Sequence, residues 1–286
     1  MTRNKELLTE KIFFSATLFS GSIVFSIFGF MIYLGLPLFR EGHFFELLYQ
    51  PWMPHSGSYG IGPMIAGTVA ISLLALFMAF PVCLGCSAFI NLFGPPGAGR
   101  FVRRTVEMMT GIPTVIYGFI GIFLLVPFLR EIFDHGSGMC WLSASLMLAL
   151  LISPTMVLFF TDHFNRVPVP YLHCVDALGG SRVQKFLYVI LPCSWRGIMT
   201  GTILALGRAL GDTLIGLMIA GNAVQTPNSL FDSIRTLTAH IALIFASDFE
   251  SMEFKAIFAC GLFLFFLTSI LVISARLLAH RTGSQA

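Results

Sequence analysis

The feature of this sequence that most constrains its fold is a series of six long apolar blocks. They cover about residues 12–36, 62–92, 108–129, 140–161, 197–222 and 254–279. A helix of about 20 residues crosses the hydrocarbon core of a bilayer, whereas a soluble core does not need apolar runs of this length. The chain is 56% hydrophobic and 11% charged, against about 25% charged residues in soluble domains. The sequence therefore predicts an all-α integral membrane protein with six transmembrane helices.

Several smaller features refine this prediction. The first block is too long for a signal peptide and has no clean small-residue cleavage site, so we expect it to be a retained helix. Pro81 and Pro154 interrupt the second and fourth blocks, where neighbouring helices can satisfy the freed backbone groups. Cys83 and Cys86 form a CxxC inside an apolar block, and we interpret them as small helix residues because no partner ligands lie nearby in the sequence.

The distribution of lysine and arginine predicts the orientation. With the N-terminus inside, segments 1–11, 93–107, 162–196 and the C-terminal tail are cytoplasmic, and they hold most of the seventeen basic residues. The outer segments hold only Arg40, Arg130, Arg235 and Lys255. Because basic residues concentrate in cytoplasmic loops, we expect a multi-pass protein of the cytoplasmic membrane with both termini inside the cell.

The fifth block carries two charges. Arg208 lies near its midpoint, and Asp212 follows four residues later. An Arg or Asp at the centre of a transmembrane helix costs roughly 2.5–3.5 kcal/mol to insert. Since positions i and i+4 share a helix face, we expect the two side chains to neutralise each other.

This charged pair has two interpretations. In one, it only locks neighbouring helices together. In the other, it lines a path for a solute, because intramembrane charges usually face a cavity. Small and hydroxyl residues around the pair favour a path: Gly201, Thr202, Gly211, Thr213 and Gly216. Arginine binds flat oxyanions well, so the block predicts an anion or solute path without naming the solute.

The segment between the fourth and fifth blocks predicts a cytoplasmic docking element. Two short amphipathic helices are expected on either side of Gly179, and Leu191-Pro192 then begins the next span. A helix–glycine–helix unit on the membrane surface suits contact with a cytoplasmic partner. The alternative is an interfacial connector that has no partner.

This segment resembles the cytoplasmic coupling motif of ABC-importer permeases, through Gly179 and the later Val189-x-Leu191-Pro192. That motif begins Glu-Ala-Ala, whereas this chain has His173-Cys174-Val175, so the usual acidic contact is missing and Asp176 would substitute only in part. The resemblance implies that the contact with an ATPase involves His173, Cys174, Val175, Asp176, Ala177, Leu178 and Gly179.

A narrower resemblance is to phosphate-importer permeases. These typically carry Arg-Ala-x-Gly-Glu-Thr and a later Gly-Asn, and this chain has Arg208-Ala-Leu-Gly-Asp212-Thr213 and Gly221-Asn222. Asp212 replaces the usual Glu, with a side chain one methylene shorter. Segments 111–118 and 235–238 also match, although Arg235 itself is expected to be an ordinary outer-loop charge. Segment 52–68 is more similar to the PstC-type subunit than to the PstA-type one.

The resemblance implies a type I ABC-importer permease fold and a transport subunit that is not itself an enzyme. Residues 1–61 would form an N-terminal segment, a first helix and an outer loop, and residues 62–280 a permease domain with coupling loop 163–196. The implied substrate is inorganic phosphate, with Arg208, Asp212 and Thr213 in its path. Permeation of another oxyanion or solute, and a mainly signalling or scaffolding role, remain as alternatives.

The implied partners are a second permease subunit, two ATP-binding subunits, a phosphate-binding protein outside the membrane, and the lipid bilayer. No cofactor is expected on this chain. The sequence has no GxxxxGK[ST] phosphate-binding loop, so ATP-Mg would be bound by the ATPase subunits. A net charge of only +3 gives no indication of nucleic-acid binding.

Overall fold

The computed structural model describes residues 2–40, 48–133, 136–248 and 251–280. Its helices, numbered in chain order, are α1 (Thr2–Arg40), α2 (Gly62–Ala88), α3 (Pro96–Met109), α4 (Thr114–Ile120), α5 (Val126–Phe133), α6 (Trp141–Asn165), α7 (Val169–Ala177), α8 (Arg182–Lys185), α9 (Leu191–Leu210), α10 (Leu214–Ile219), α11 (Leu237–Ile244) and α12 (Met252–His280). Strands β1 (Trp52–Met53) and β2 (Ser58–Tyr59) form a short antiparallel hairpin outside the helices.

Three π-helical segments extend or join these helices. Phe89–Phe93 follows α2, Gly121–Leu125 joins α4 to α5, and Phe186–Ile190 joins α8 to α9. Within the described residues, six helical segments are long and apolar enough to cross a membrane: Thr9–Gly35, Gly62–Phe93, Thr114–Phe133, Trp141–Asn165, Arg182–Leu210 and Met252–Ser274. The prediction of an all-α protein with six spans is therefore confirmed.

The predicted bounds of the third span are wrong at its start. The prediction began the span at residue 108, whereas α3 ends at Met109 and the apolar helix begins at Thr114. Pro113, with extended backbone angles, separates the two helices. Proline has no amide hydrogen with which to continue the hydrogen bonds of α3. It is well tolerated just before or within the first turn of a new helix.

The predicted bounds of the fifth span are also wrong. The prediction placed it at 197–222, after a separate surface helix, but residues 182–210 form one continuous helical segment that ends at Leu210. Pro192 lies inside this segment, just after the π-helical residues Phe186–Ile190, and π-helical turns are a common local adjustment within helices. The segment after Leu210 is irregular and leads into α10.

The core is built around α2 and α6. Side chains spaced four residues apart form one buried stripe on each helix: Ile71, Ala75, Ala79 and Cys83 on α2, and Leu148, Ile152, Met156 and Phe160 on α6. Such i, i+4 rows are the ridges by which helices interdigitate. The small residues on α2 let the backbones approach closely, as in other membrane helix pairs.

Helix α1 lies at the edge of this bundle. It contacts α12 through ring pairs such as Phe28 with Phe265, at 4.6 Å between centroids, and it leaves Phe13, Phe14 and Phe25 exposed. Apolar side chains exposed along a span-length helix suit contact with lipid or another membrane helix. The predicted division at residue 61 stays a prediction.

Candidate functional site

The candidate site is a break in the fifth span. Helix α9 ends at Leu210, and α10 begins at Leu214. Arg208 lies in the last turn of α9, and its Nη1 donates a hydrogen bond to Thr155 Oγ1 at 3.4 Å. Thr155 is near the middle of α6, which spans Trp141–Asn165. This contact places the Arg208 side chain level with the middle of the apolar helix α6.

Asp212 has a different partner from the one predicted. Its Oδ2 accepts a hydrogen bond from the amide of Ile215 at 2.8 Å, at the start of α10. Among the described residues, the ion pairs within 4 Å do not include Arg208 with Asp212. The direct i, i+4 ion pair is therefore not formed, because the helix ends between the two residues, although the Arg208 charge still acts on the Asp212 carboxylate at longer range.

Helix ends compensate both charges instead. Arg208 lies beside the carbonyl-rich C-terminus of α9, and Asp212 lies at the amide-rich N-terminus of α10. A cation near a C-terminus and an anion near an N-terminus are each stabilised by typically 0.3–1 kcal/mol. In this arrangement the Arg208 guanidinium is exposed, and it donates a hydrogen bond to the neutral Thr155 hydroxyl.

Hydrogen bonds from the segment Arg235–Thr238 stabilise this break. Thr238 Oγ1 donates a hydrogen bond to the Asp212 carbonyl at 2.8 Å. Thr236 Oγ1 accepts from the amide of Ala239 and so caps α11. The amide of Leu237 donates to Thr68 Oγ1 on α2 at 2.8 Å. The 235–238 segment is thus fixed to both α2 and the break.

A left-handed turn holds the far end of α10. Gly221 and Asn222 both have positive φ, at 81° and 60°. Asn222 Nδ2 donates to the Leu217 carbonyl at 2.6 Å, and Gly221 pairs with Ile234 in a parallel bridge. The two motifs Gly221-Asn222 and Arg235–Thr238, far apart in sequence, are therefore neighbours.

Arg235 is not an ordinary outer-loop charge. It is half-buried, and its Nε donates to the Asn222 carbonyl at 2.8 Å. Its Nη1 lies 3.4 Å from Nδ1 of His240, which is fully buried on α11, outside the six spans. Burial, and then the Arg235 charge, lower the pKa of His240 to about 3, so this imidazole is neutral and its Nδ1 can accept the hydrogen bond. Arg235 therefore stabilises the turn that follows α10.

Thr155 and His240 belong to this arrangement and were missed from the sequence. Thr155 directly follows Pro154 inside a span, and a hydroxyl beside an intramembrane proline was a usable signal. His240 lies in a segment whose burial the sequence does not indicate. Thr213, the third predicted path residue, is half-buried at the break, and its carbonyl accepts from the Leu217 amide at 2.9 Å.

The predicted segment 111–118 reaches the same region through α4. A Cβ on Gly118 would lie 2.4 Å from Met218 Sδ, and one on Gly121 would lie 2.1 Å from Ile219 Cδ1. These glycines let α4 and the π-helical segment after it pack directly on α10. Segments 111–118, 208–213, 221–222 and 235–238 therefore meet around the break.

Replacing Gly67 with alanine is expected to destabilise this region. A Cβ there would lie 2.2 Å from the Arg235 carbonyl oxygen, a backbone atom that α2 and the break hold in place. Overpacking of this kind typically costs about 1–3 kcal/mol, seen as a lower melting temperature of the detergent-purified protein. Gly85→Ala on the same helix is the matched control, because a Cβ there meets nothing within 4 Å. Equal melting temperatures for the two variants would contradict the packing described.

The predicted coupling residues lie on α7 and the turn after it. Gly179 has φ +71°, and the amide of Gly180 donates to the Val175 carbonyl at 2.9 Å. Val175 is half-buried beneath this turn, whereas the other six predicted coupling residues are exposed, Leu178 by 88%. The Asp176 carboxylate forms an ion pair with Lys185 on α8 at 2.5 Å, which ties α7 to the start of the fifth span.

The cysteine motif has an ordinary packing role. Cys83 is buried, and its Sγ lies 3.6 Å from the Ser153 carbonyl on α6. Within the described ranges, no group of three or more His, Cys, Asp or Glu residues is arranged to hold a metal ion.

Solved structures similar to this chain are ABC-transporter permeases. One is from a bacterial alginate ABC transporter in complex with an alginate-bound periplasmic protein, with a TM-score of 0.65, 17% identity and 94% of both chains covered. Another is from the MetNI methionine ABC transporter in an inward-facing conformation, with a TM-score of 0.59, 17% identity, and 75% of this chain and 92% of that chain covered. The type I ABC-importer permease fold is thereby confirmed.

Sequence relatives are also permeases. The phosphate transport system permease protein PstC of Pasteurella multocida is 32% identical over 254 residues, covering 82% of this chain and 79% of that protein. PstC of Mesorhizobium japonicum is 30% identical over 258 residues, with 84% and 79% covered. The probable ABC transporter permease YqgH of Bacillus subtilis is 30% identical over 233 residues, with 80% and 75% covered. The family model for the "Binding-protein-dependent transport system inner membrane component" matches residues 82–284. The chain therefore belongs to this family of inner-membrane transport components.

Proposed function

We propose that this chain is a PstC-type permease subunit of an ATP-driven importer that moves inorganic phosphate across the cytoplasmic membrane. The observation that carries the proposal is the likeness to PstC proteins at 30–32% identity over about four fifths of both chains. Likeness of that extent covers most of the chain and does not rest on one short motif.

The geometry at the break supports an anionic substrate. Arg208 places an exposed guanidinium near the middle of the membrane, and its described partner is the neutral Thr155 hydroxyl. Asp212 is engaged by the Ile215 amide, so it does not cancel that charge by direct pairing. A guanidinium presents a rigid fork of donors that matches a phosphate oxyanion. In this proposal Arg208 meets the phosphate, Asp212 fixes the shape of the break, and Thr213 offers a hydroxyl beside it.

The proposed assembly contains a second permease subunit, two ATP-binding subunits, and a phosphate-binding protein at the outer face. Its support is that the similar solved structures are of ABC transporters, one of them in complex with an alginate-bound periplasmic protein. In this assembly both termini are cytoplasmic, ATP-Mg is bound and hydrolysed on the ATP-binding subunits, and the present chain performs no hydrolysis.

The proposed mechanism is alternating access. The binding protein releases phosphate at the outer face, and closure of the ATPase pair moves residues 173–179. The exposed side chains of α7, including Leu178, are available for that contact. Helices α8 and α9 belong to one helical segment that ends at the break. Movement of the loop would therefore change access to Arg208.

The proposal is tested by the ATPase activity of the complete reconstituted complex. Phosphate-loaded binding protein is expected to raise the hydrolysis rate several-fold, whereas sulfate and molybdate leave it at its basal value. Stimulation by one of those anions but not by phosphate would favour the permease for another oxyanion. Phosphate uptake that survives deletion of this chain would instead favour the signalling or scaffolding role.

A further inference from the structure

Helix α3 has three different sides. Gly99 and Val106, seven residues apart, are buried against the rest of the protein. Phe101 and Met108, also seven apart, form an exposed apolar side. The third side, called here the polar side of α3, has side chains at the i, i+3, i+4, i+7 spacing of one helix face. It consists of exposed Arg100, Arg104, Glu107 and Thr110, together with half-buried Arg103. The helix therefore has one side for protein, one for lipid and one for water.

The end of α3 lies deep in the membrane. A Cβ on Gly121 would lie 3.1 Å from Met147 Cγ, so this part of the third span is level with Met147 on α6. Consecutive spans run in opposite directions, and Thr114 therefore lies about level with the middle of α6, at 1.5 Å per residue. The Tyr117 hydroxyl donates a hydrogen bond to the Met109 carbonyl at 3.2 Å. The end of α3 is thus within one side-chain length of that depth.

The polar side of α3 begins at the membrane boundary. Arg103 Nη2 lies 3.5 Å from Asp162 Oδ1 on α6. Asp162 is about 13 Å from the midpoint of α6 along its axis, close to the half-thickness of the hydrocarbon core, about 15 Å. Glu107, one turn further along α3, lies about 6 Å deeper than Arg103. Its carboxylate is exposed, and charged side chains at such depth usually face a water-filled cavity and not lipid.

The polar side of α3 borders the same face of α6 as Arg208. Thr155 and Asp162 are seven residues apart on α6 and so share one face of that helix. Arg208 donates a hydrogen bond to Thr155, and Arg103 contacts Asp162. This face of α6 therefore leads from Arg208 to the polar side of α3. In the proposed orientation it leads toward the cytoplasm.

Arg103 pairs with both carboxylates on this route. Its Nε lies 2.9 Å from Glu107 Oε1, and its Nη2 contacts Asp162. Unpaired carboxylates would repel a passing anion, and a guanidinium between them reduces that repulsion. Arg100 and Arg104 are exposed on the same side. The three arginines outnumber the two carboxylates, so the route has a net positive charge.

We propose that the polar side of α3 lines a water-filled vestibule through which phosphate passes from Arg208 to the cytoplasm, with Arg103 as a further residue of this route. The inference rests on the proposed function and names the exit that it needs. Both ion pairs of Arg103 are partly exposed. Exposed ion pairs are weak, so the arginine can neutralise the carboxylates and still attract the anion.

The reaction of introduced cysteines with a water-soluble reagent tests the vestibule. Thr110→Cys places a thiol on the polar side of α3, and the matched control Met108→Cys places one on the apolar side two residues away. The complete complex in inside-out vesicles would be treated with a membrane-impermeant sulfonated maleimide, and peptide mass spectrometry would follow each site. Exposed Cys174 on α7 is the internal reference for the cytoplasmic face.

We expect Thr110→Cys to react at least about tenfold faster than Met108→Cys, because the reactive thiolate forms in water and is disfavoured in apolar surroundings. In right-side-out vesicles, neither introduced cysteine nor Cys174 should react appreciably. That contrast between the two vesicle preparations would place the opening of the vestibule on the cytoplasmic side.

Uptake measurements test the role of Arg103. Arg103→Gln is expected to reduce phosphate uptake by about fivefold or more, because it leaves two unpaired carboxylates on the route. Adding Glu107→Gln and Asp162→Asn removes this repulsion and should restore uptake to within about twofold of the parent. If Arg103 only attached α3 to α6, the triple variant would also lack that attachment and would transport no better than the single variant.

The outcomes separate this inference from the proposed function. Equally slow reaction of both introduced cysteines, in a complex that still takes up phosphate, would overturn the vestibule and assign the polar side of α3 to contact with another subunit. A triple variant that does not recover uptake would overturn the role of Arg103. A parent complex that shows the expected cysteine reactivity but takes up no phosphate would count against the proposed function.

Discussion

Replacing Arg208 with alanine is expected to reduce phosphate uptake by about 100-fold or more, a loss equivalent to about 2.7 kcal/mol and within the range for removing charged hydrogen-bond donors. The substitution removes the exposed cation at the break and leaves Thr155 without that donor. The chain should still insert, because removing a charge from a span lowers the cost of insertion. Uptake of radiolabelled phosphate and the amount of chain in the membrane would be measured on the same cells.

The matched control is Arg130→Ala, which removes an exposed arginine from α5. It is expected to leave uptake within about twofold of the parent, as surface substitutions usually do. Normal uptake from the Arg208 variant at equal membrane levels would refute a role of this residue in the path.

Replacing Gly179 with valine is expected to separate ATP hydrolysis from transport. Gly179 has φ +71°, a conformation that a β-branched residue adopts only at a genuine steric cost. The turn would change shape, moving the exposed residues of α7 relative to α8. We expect uptake to fall by about tenfold or more, equivalent to at least 1.4 kcal/mol, while the reconstituted complex keeps its basal ATPase activity.

The control at the same position is Gly179→Asn. Asparagine tolerates positive φ better than other side chains, and a Cβ at this position meets nothing within 4 Å. Uptake should therefore be largely retained. If the valine variant binds the ATPase and transports phosphate normally, the coupling contact has been assigned to the wrong segment.

The six spans were predictable because membrane helices are specified by local composition. The length of the apolar blocks identified all six spans, and glycine and proline marked most of the turns. The helix–glycine–helix pattern likewise predicted the turn at Gly179, where the structure has a positive φ.

The break in the fifth span was not predictable in the same way. Gly211 alone does not end a helix in a membrane, and the periodicity of the sequence suits a continuous span through Asp212. What stabilises the break is Thr238, 26 residues later, which donates to the Asp212 carbonyl. This is a tertiary contact, and a one-dimensional pattern does not contain it.

Arg235 was misjudged for a related reason. An arginine in an outer segment is typical of a solvated surface, and its partner here is a backbone carbonyl exposed by the left-handed Gly221-Asn222 turn. Side-chain to backbone contacts of this kind depend on the path of the chain, so the residue types alone do not reveal them.

The continuity of residues 182–210 has a mechanical consequence. This helical segment of 29 residues has a length of about 43 Å, with the coupling turn at one end and Arg208 at the other. A tilt of about 5° around its midpoint would displace each end by about 2 Å, in opposite directions. Such a displacement is enough to break the 3.4 Å contact between Arg208 and Thr155. In the proposed mechanism, a segment that moves as one body would turn a small push at the coupling turn into the loss of the Arg208–Thr155 hydrogen bond.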